Sequence, residues 1–338
     1  MSRRFTPATV LALAGTIVLL IGWLLIHRLG DQTWWALPIL FGPRWIWLGT
    51  LLAFLPLART RPRRGIPLLV AATLFAVITL LGFRLGLGRI GTPDGDTIRV
   101  MAINDEGGGG PNQAQRLADE IRRVSPDIVV ISECGPDLRA KFPALVSYLT
   151  YRQAQNAWLC LVTRGEIRGW LERGAGNPGN PEAVRVELTV HGVPLRLGMI
   201  HLATPRRSLE DFRSIHSIPQ LGPHTAAETE ERRTESANAV EWIDEGLSEP
   251  VIVAGDFNIP VESAIYRDNW SQFRNAFSET GIGTGYSKHT RLWGIRIDHV
   301  LTSTDIIPVR SFVGKEVGSD HIPMVADLVL PGRATSRP

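Results

Sequence analysis

The stretch VIVAGDFNIP, residues 251–260, is the part of the sequence from which the fold is best predicted. Its apolar run is typical of a buried strand. The run leads into Gly255, and Asp256 and Asn258 follow before Pro260. A buried carboxylate or amide costs free energy unless it has a partner. We therefore expect the end of this strand to face a polar site to which other segments contribute.

Other apolar runs also carry polar residues at or near their ends, namely Asn104, Glu133, His201, Asp298 with His299, and Asp320 with His321. Carboxylates that lie close together raise one another's pKa, and a bound cation removes that penalty. Oxygen ligands without thiolates suit Mg²⁺ or Mn²⁺ better than zinc. With imidazole and amide groups as donors to an oxyanion, this set favours phosphate-ester hydrolysis.

The rest of the soluble part predicts a mixed α/β fold. Strand-length runs occur at 97–103, 127–132, 157–163, 183–190, 194–202, 250–255, 295–302, 306–313 and 323–330. Helical patterns occur at 112–124 and 226–247, with shorter ones near 262–267 and 270–277. Strands outnumber helices and often follow one another directly, so we expect two packed sheets with helices outside.

The N-terminal third is apolar enough to enter a membrane. Residues 8–26 and 66–83 carry no charge, and each is long enough to span a bilayer core. Between them, residues 34–58 are interrupted by Gly42-Pro43-Arg44. We expect this part to cross as a kinked helix; the alternative is that only 45–58 inserts.

Charge sets the expected orientation of these spans. The N-terminus and residues 59–64 are rich in arginine, and the positive-inside rule places both in the cytoplasm. This requires three transmembrane helices and predicts an integral membrane protein whose residues 93–338 are extracytoplasmic. Without the middle crossing, that part would be cytoplasmic.

The expected organisation is a membrane segment at 1–88, a linker at 89–96, a catalytic domain at 97–330 and a disordered tail at 331–338. Residues 1–92 contain ten arginines and one acid, which leaves 26 basic residues (36 minus 10) and 32 acidic residues (33 minus 1) for the remainder. This acidic balance argues against broad binding to duplex DNA, which depends on Lys and Arg.

The motifs as a set resemble the endonuclease/exonuclease/phosphatase superfamily. They are N (104), ISE (131–133), IHL (200–202), GDFN (255–258), IDHVL (297–301) and SDH (319–321). This superfamily includes DNase I-like nucleases, abasic-site endonucleases, sphingomyelinases and inositol-phosphate phosphatases. The resemblance covers about residues 97–330. It implies a four-layered α/β sandwich with its site at one end of the two sheets.

The resemblance also implies a role for each polar residue. Glu133 and Asp320 resemble metal ligands, with Asn104 beside the metal, and the expected ion is Mg²⁺ or Mn²⁺. The remaining residues resemble the groups that act on the phosphate and on water.

Among those groups, His321 resembles the imidazole that faces the scissile phosphate, with Asp298 orienting it. Asp256 resembles the residue that positions or deprotonates the attacking water, and Asn258 and His201 resemble donors to the phosphoryl oxygens. The alternative, with Asp256 as a metal ligand and His321 as the base, stays open.

The long segment after His201 holds Arg206, Arg207 and Arg213, which are candidates for holding a substrate phosphate or headgroup. In some nucleases of the family a carboxylate orients the equivalent of His201. None is found in TYRQAQN before Trp158, which weakens a DNase-like interpretation.

Two expectations concern single residues. Asp105 and Glu106 are predicted to be solvated loop residues. Cys134 and Cys160 are predicted to be buried free thiols, with one disulfide as the alternative if the domain lies outside the cytoplasm.

The favoured function is a metal-dependent phosphodiesterase at the membrane surface, either nuclease-like or acting on lipid headgroups or small molecules. The alternatives are a phosphomonoesterase for phosphorylated small molecules or inositol phosphates, and a catalytically silent membrane-anchored scaffold. The scaffold is disfavoured because every polar position of the pattern holds a competent residue. The expected partners are a phosphate ester and the membrane; no obligate protein partner is inferred.

Overall fold

A computed structural model describes residues 5–90, 96–174, 181–212, 218–246 and 249–331. The helices are α1 (Pro7–Leu24), α2 (Leu37–Phe41), α3 (Leu55–Thr60), α4 (Pro62–Phe75), α5 (Gln113–Val124), α6 (Pro136–Leu145), α7 (Arg206–Asp211), α8 (Ile218–Asp244), α9 (Ala264–Trp270) and α10 (Ala276–Thr280). The strands are β1 (Arg84–Leu85), β2 (Thr97–Asn104), β3 (Ile128–Ser132), β4 (Thr150–Gln153), β5 (Leu159–Thr163), β6 (Glu166–Arg173), β7 (Glu182–Val190), β8 (Val193–His201), β9 (Val251–Asp256), β10 (Arg274–Asn275), β11 (Ile282–Gly283), β12 (Lys288–His289), β13 (Gly294–Ile295), β14 (Asp298–Thr302), β15 (Ile307–Val313) and β16 (Met324–Val329).

Two six-stranded sheets form the centre of the predicted catalytic domain. Their strand orders are β10-β14-β9-β8-β7-β6 and β15-β16-β2-β3-β5-β4. The pairs β8–β9 and β2–β3 are parallel, and the other pairs in these sheets are antiparallel. Both sheets are therefore mixed.

Side-chain alternation along the strands builds the layers. On β2, Val100 and Ala102 point into the core between the sheets, while Met101 and Ile103 point outward. Helices α5 and α6 cover that outer face. On the other sheet, α8 and α9 cover the outer side of β9, where Val253 packs near Trp270. The predicted four-layered α/β sandwich is confirmed.

Gly255 allows two strands to approach closely beside the site. Its φ is +142°, and a Cβ there would lie 2.0 Å from the carbonyl oxygen of Ile200 on the parallel neighbour β8. A larger residue would push β9 away from β8. The glycine thus sets the position of the Asp256 backbone beside that of His201.

Some predicted boundaries differ from the structure. Helix α8 begins at Ile218 rather than near residue 226. The strand predicted at 295–302 divides into β13 and β14, and the helix predicted at 270–277 is replaced by the end of α9, β10 and the start of α10. Strand β10 forms by pairing with β14, and β13 forms by pairing with β12, rather than from a local pattern.

Helices α1 and α4 continue into π-helical turns at Leu25–Leu29 and Ala76–Leu80. The joined helices Pro7–Leu29 and Pro62–Leu80 are long and apolar enough to cross a membrane. Between them lie α2, an extended 3₁₀ helix from Arg44 to Phe54, and α3, with a break at Gly42. The middle part of the N-terminal segment (residues 5–83) is therefore a broken helix.

This broken helix runs back along α1. Gly30 contacts Leu40, Gly22 contacts Trp47, and Gly15 contacts Phe54, so increasing residue number in one element matches decreasing number in the other. The glycines permit the close contact, as small residues do between membrane helices. The N-terminal end of α1 and the α3–α4 connection consequently lie at the same end of the segment.

Cys134 and Cys160 form a disulfide, so the expectation of free thiols is wrong. Cys160 lies on β5, which pairs with β3, and Cys134 lies two residues after the end of β3. The two Cα atoms are 5.9 Å apart, within disulfide range. The strand pairing, which the spacing of the cysteines does not show, brings them together.

Candidate active site

The predicted polar residues meet at one end of the two sheets. The pairing places Asn104 beside Ser132, His201 beside Asp256, and Asp256 beside Asp298. A cavity of about 1190 Å³ opens there, and its lining includes Glu133, His201, Asp256, Asn258, Asp320 and His321. The end of the strand at 251–260 thus does face a shared polar site.

Asn104 links the two sheets at the floor of the site. Its Nδ2 donates to Glu133 Oε1 and to Asp256 Oδ2, both at 2.9 Å. Its Oδ1 accepts from the backbone N of Glu106 at 2.8 Å. Asn104 therefore holds the two carboxylates at a fixed separation.

Asp256 is held through both of its oxygens. While Oδ2 accepts from Asn104, Oδ1 accepts from the backbone N of Asn258 at 2.8 Å. Asn258 has a left-handed backbone, with φ at +51°, and its Nδ2 donates to Leu202 O at 2.8 Å. Glu133 also has a positive φ, +48°. Such backbone strain often marks functional sites.

His321 and Asp298 form a buried pair. His321 Nδ1 donates to Asp298 Oδ2 at 2.7 Å, and Nε2 lies 3.8 Å from Asp256 Oδ2. Burial lowers the pKa of His321, but the charges of Asp298 and Asp256 outweigh burial, so the pKa lies above its ordinary value. The same burial, together with repulsion from Asp298, raises the pKa of Asp256.

Lys288 is a site residue that the sequence analysis missed. Its Nζ donates to Asp320 Oδ2 at 2.7 Å and lies 3.0 Å from His321 Nε2. A bridge between β12 and His321 brings it there. A lone lysine on a two-residue strand carries no local signal that would have identified it.

Glu182 is the second missed residue, and it supplies the carboxylate that TYRQAQN lacks. Its Oε2 accepts from His201 Nδ1 at 2.8 Å, while His201 Nε2 lies 3.4 Å from Glu133 Oε1. The sequence does carry a signal for this pair, because His191-Gly192 is a two-residue turn between two apolar runs. In the structure both of these residues have positive φ. Such a hairpin fixes the register, and pairing outward from it matches Glu182 with His201.

This pairing has an electrostatic consequence. The hydrogen bond with His201 lowers the pKa of Glu133 to about 2. Burial lowers the pKa of His201, but its bonds with Glu133 and Glu182 raise it well above the ordinary value. The two carboxylates therefore favour the charged form of His201 at one wall of the cavity.

The carboxylates fit a divalent cation. Asp320 Oδ1 is buried and has no hydrogen-bond partner, and Glu133 lines the same cavity. A second cluster, Asp256, Asp298 and His321, brings its ligand atoms within 4.8 Å of one another. In that cluster the imidazole and both Asp256 oxygens are already bonded, but Asp298 Oδ1 is buried without a partner, as Asp320 Oδ1 is. Glu133 Oε1 and Asp320 Oδ2 are bonded as well, so both groups of carboxylates offer ligands for a metal.

The structure tests the remaining residues that the sequence analysis singled out, and the predictions for them do not all agree with it. Arg206 and Arg207 lie on α7 and line the cavity. Arg213 lies outside the described residues. Asp105 is fully buried, so its prediction as a solvated residue is wrong, whereas Glu106 is exposed. Burial raises the pKa of Asp105 to about 7.

Comparison with known proteins places this chain in a family. Residues 86–321 match the model of the Endonuclease/Exonuclease/phosphatase family, and the chain belongs to that family. Members are phosphoester hydrolases that typically use divalent metals, so the protein is an enzyme of this class. No curated protein matches the sequence.

Solved structures support the same fold. The endonuclease/exonuclease/phosphatase from Bacteroides vulgatus is 18% identical with a TM-score of 0.54, over 70% of this chain and 99% of that chain. D. rerio TDP2 complexed with single strand DNA product is 14% identical with a TM-score of 0.54, over 69% and 99% respectively. C. elegans TDP2 is 15% identical with a TM-score of 0.52, over 69% and 98%.

Proposed function

We propose that this protein is a phosphodiesterase that depends on Mg²⁺ or Mn²⁺ and acts at a membrane surface. Glu133 and Asp320 would hold the ion, with Asn104 beside it. The observation that carries the proposal is the convergence of these groups with the His321–Asp298 pair on one cavity. When bound, the ion would polarise a phosphoryl oxygen and offset the developing charge.

In this proposal Asp256 accepts the proton of the attacking water. Its raised pKa makes it a stronger base than an ordinary aspartate, and Asn104 and Asn258 orient both of its oxygens. The water oxygen forms a new bond to phosphorus as the ester oxygen leaves with its bonding electrons. Asp256 then releases the proton of the water to solvent, and the leaving oxygen takes up one proton from solvent to become the alcohol. The protons of the reaction therefore balance.

His321 and His201 stabilise the negative charge that develops on the phosphoryl oxygens. Asp298 favours the charged form of His321, and Glu133 with Glu182 does the same for His201. The reverse assignment, with His321 as base, is less favoured because Asp298 and Asp256 raise the pKa of the imidazole and so favour its charged form. The two imidazoles and the Asn258 amide thus face one substrate group.

The substrate is proposed to be a phosphodiester other than duplex DNA. The D. rerio TDP2 structure contains a single-stranded DNA product. The acidic balance of the catalytic domain disfavours long nucleic acid, because such binding depends on many Lys and Arg contacts. Arg206 and Arg207 could contact one neighbouring phosphate or headgroup.

We further propose that the N-terminal segment crosses the membrane three times. The return of residues 40–54 along α1 supports this, since it puts the N-terminal end of α1 and the arginine-rich residues 59–64 at the same end of the segment. The positive-inside rule then places the catalytic domain outside the cytoplasm. The Cys134–Cys160 disulfide is consistent with an oxidising compartment.

Turnover of model esters tests the function. The full-length protein in detergent should hydrolyse bis-p-nitrophenyl phosphate with Mg²⁺ or Mn²⁺, and EDTA should abolish the rate. Faster turnover of p-nitrophenyl phosphate would instead support a phosphomonoesterase. Absence of both turnover and calorimetric metal binding would support a silent scaffold.

A reporter fusion tests the orientation. Alkaline phosphatase joined after residue 92 should be active, because that enzyme requires export from the cytoplasm. A fusion that is inactive, while a cytoplasmic reporter at the same position is active, would contradict the three-span proposal.

A further inference from the structure

The cavity at the active site continues from the carboxylates to the N-terminal segment. Its lining includes Glu133 and His321 of the site and Phe41, the last residue of α2. Ile295, Ile297 and Leu209 of α7 line the same cavity and pack in one hydrophobic cluster with Phe41. We call the part lined by the site residues the charged end of the cavity and the part lined by this cluster its apolar end.

The apolar end belongs to the hydrophobic cluster of the N-terminal segment. Ile295 and Ile297 are buried with Leu40, Phe41 and other residues of that segment, and Leu209 packs against the same cluster. Trp293 Nε1 donates to Phe41 O at 3.0 Å. The proposed membrane segment therefore forms part of the cavity wall, beyond serving as a tether.

Tryptophans at the proposed membrane surface contact both flanks of the cavity. Phe212, next to α7, stacks on Trp34 with ring centroids 6.1 Å apart. On the other flank, Trp45 Nε1 donates to Leu292 O at 3.3 Å. Trp34 and Trp45 are 42% and 54% exposed. Partly exposed Trp residues are enriched at the headgroup level of membranes, so the flanks of the cavity lie near that level.

Buried polar contacts fix the catalytic domain on this segment. Arg44 Nη2 donates to Glu262 Oε2 at 2.9 Å, with both side chains at most 5% exposed. Asp31 accepts from the backbone N of Ala264 at 2.9 Å, at the start of α9. Breaking such a buried pair is costly. The orientation that aligns the cavity with Phe41 is therefore held rigidly.

We propose that the cavity takes an amphiphilic phosphate ester from the bilayer. The phosphoryl group would lie at the charged end, and the apolar chain would pass Phe41, Leu209 and Ile295 toward the lipid. This rests on the proposed phosphodiesterase function and names its substrate class. The reaction remains hydrolysis, with water as the co-reactant and an alcohol and a phosphate monoester as products.

A soluble substrate without an apolar chain would make no contact with the apolar end of the cavity. Each buried CH₂ contributes about 0.8 kcal/mol, which is close to a fourfold change in an equilibrium or rate constant. A chain of several methylenes along Phe41 and Leu209 should therefore raise kcat/KM well above that of a diester without a chain.

A pair of diesters with the same leaving group tests this directly. The probes are methyl p-nitrophenyl phosphate in solution and dodecyl p-nitrophenyl phosphate in phosphatidylcholine vesicles that contain the full-length protein. We expect the dodecyl-to-methyl ratio of kcat/KM to fall by at least about tenfold in Phe41→Ala and in Leu209→Gln, since each change removes the equivalent of two or more methylene contacts.

Two matched controls share the chemistry of these variants. Phe54→Ala truncates a buried aromatic of the same cluster, and Leu171→Gln changes an exposed leucine on β6; neither residue lines the cavity. In both controls the ratio should stay within about twofold of the unmodified protein, a change worth less than one methylene contact. Thermal unfolding of all four variants shows whether any has lost its fold.

Photo-crosslinking gives a readout that does not require turnover. A dodecyl phosphate with a diazirine on its chain, irradiated in EDTA, should label peptides containing Phe41, Leu209 or Trp293. Labelling confined to the outward faces of α1 and α4 would overturn the inference.

The outcomes separate this inference from the proposed function. If neither diester is hydrolysed with metal present, the phosphodiesterase proposal fails. If both are hydrolysed but Phe41→Ala and Leu209→Gln leave the ratio unchanged while remaining folded, the enzyme stands and the bilayer substrate is refuted.

Discussion

Replacing Asp298 with Asn tests the central pair of the site. Asp298 Oδ2 accepts from His321 Nδ1 at 2.7 Å, and both side chains are almost fully buried. A hydrogen bond to a charged group contributes about 1.5–3 kcal/mol. If that contribution is expressed in the transition state, Asp298→Asn should lower kcat/KM by about 10- to 150-fold.

The pH profile of the same variant distinguishes the two roles of His321. The carboxylate holds the pKa of His321 above its ordinary value, so the substitution should lower it. If His321 acts in its charged form, activity depends on protonation, and the alkaline limb of kcat/KM should move to lower pH. If His321 were the base, the acidic limb would move to lower pH instead.

The assay is hydrolysis of bis-p-nitrophenyl phosphate by the full-length protein from about pH 5 to 10 at saturating Mg²⁺, the range in which a bell-shaped profile is readable. Asp305→Asn is the matched control, because Asp305 is an exposed carboxylate in the loop after β14. A rate within about twofold of the unmodified protein, with both limbs unmoved, would refute the reasoning, because the lost bond should exceed that change.

Three further predictions concern residues around the site. Glu182→Gln removes the charge that orients His201, and we expect kcat/KM to fall by about tenfold. If Glu182→Asp restores kcat/KM, a purely steric role for Glu182 is contradicted. Replacing both Cys134 and Cys160 by Ser removes a disulfide between residues that are 26 positions apart in the chain. This should lower the free energy of unfolding by about 3 kcal/mol in urea titrations, and an unchanged urea midpoint would refute the prediction. Burial raises the pKa of Glu235 to about 7, so the folded state favours the protonated carboxyl and stability is lost as pH rises from about 4.5 to 7. Glu235→Gln should therefore melt higher than the unmodified protein at pH 8 but not at pH 4, as differential scanning fluorimetry can check.

Much of the candidate site could be predicted because each residue follows a locally recognisable apolar strand. Asp256, Asn258, His201 and Glu133 occupy such positions, and strand ends at one edge of a sheet converge. The same runs predicted two packed sheets with helices outside, and the family resemblance implied the four-layered sandwich. Boundaries of short elements such as β10 could not be predicted, since a two-residue strand forms only through its partner.

The sequence by itself determined which segments are apolar, where polar residues interrupt them, and how charge divides between the two parts of the chain. Only the tertiary structure decided which residues meet across those segments. Glu182 reaches His201 through hairpin register, Cys134 reaches Cys160 through the β3–β5 pairing, and Phe41 reaches the cavity through packing of the N-terminal segment. Apolar periodicity depends on near neighbours in the chain, whereas these contacts depend on how distant elements pack.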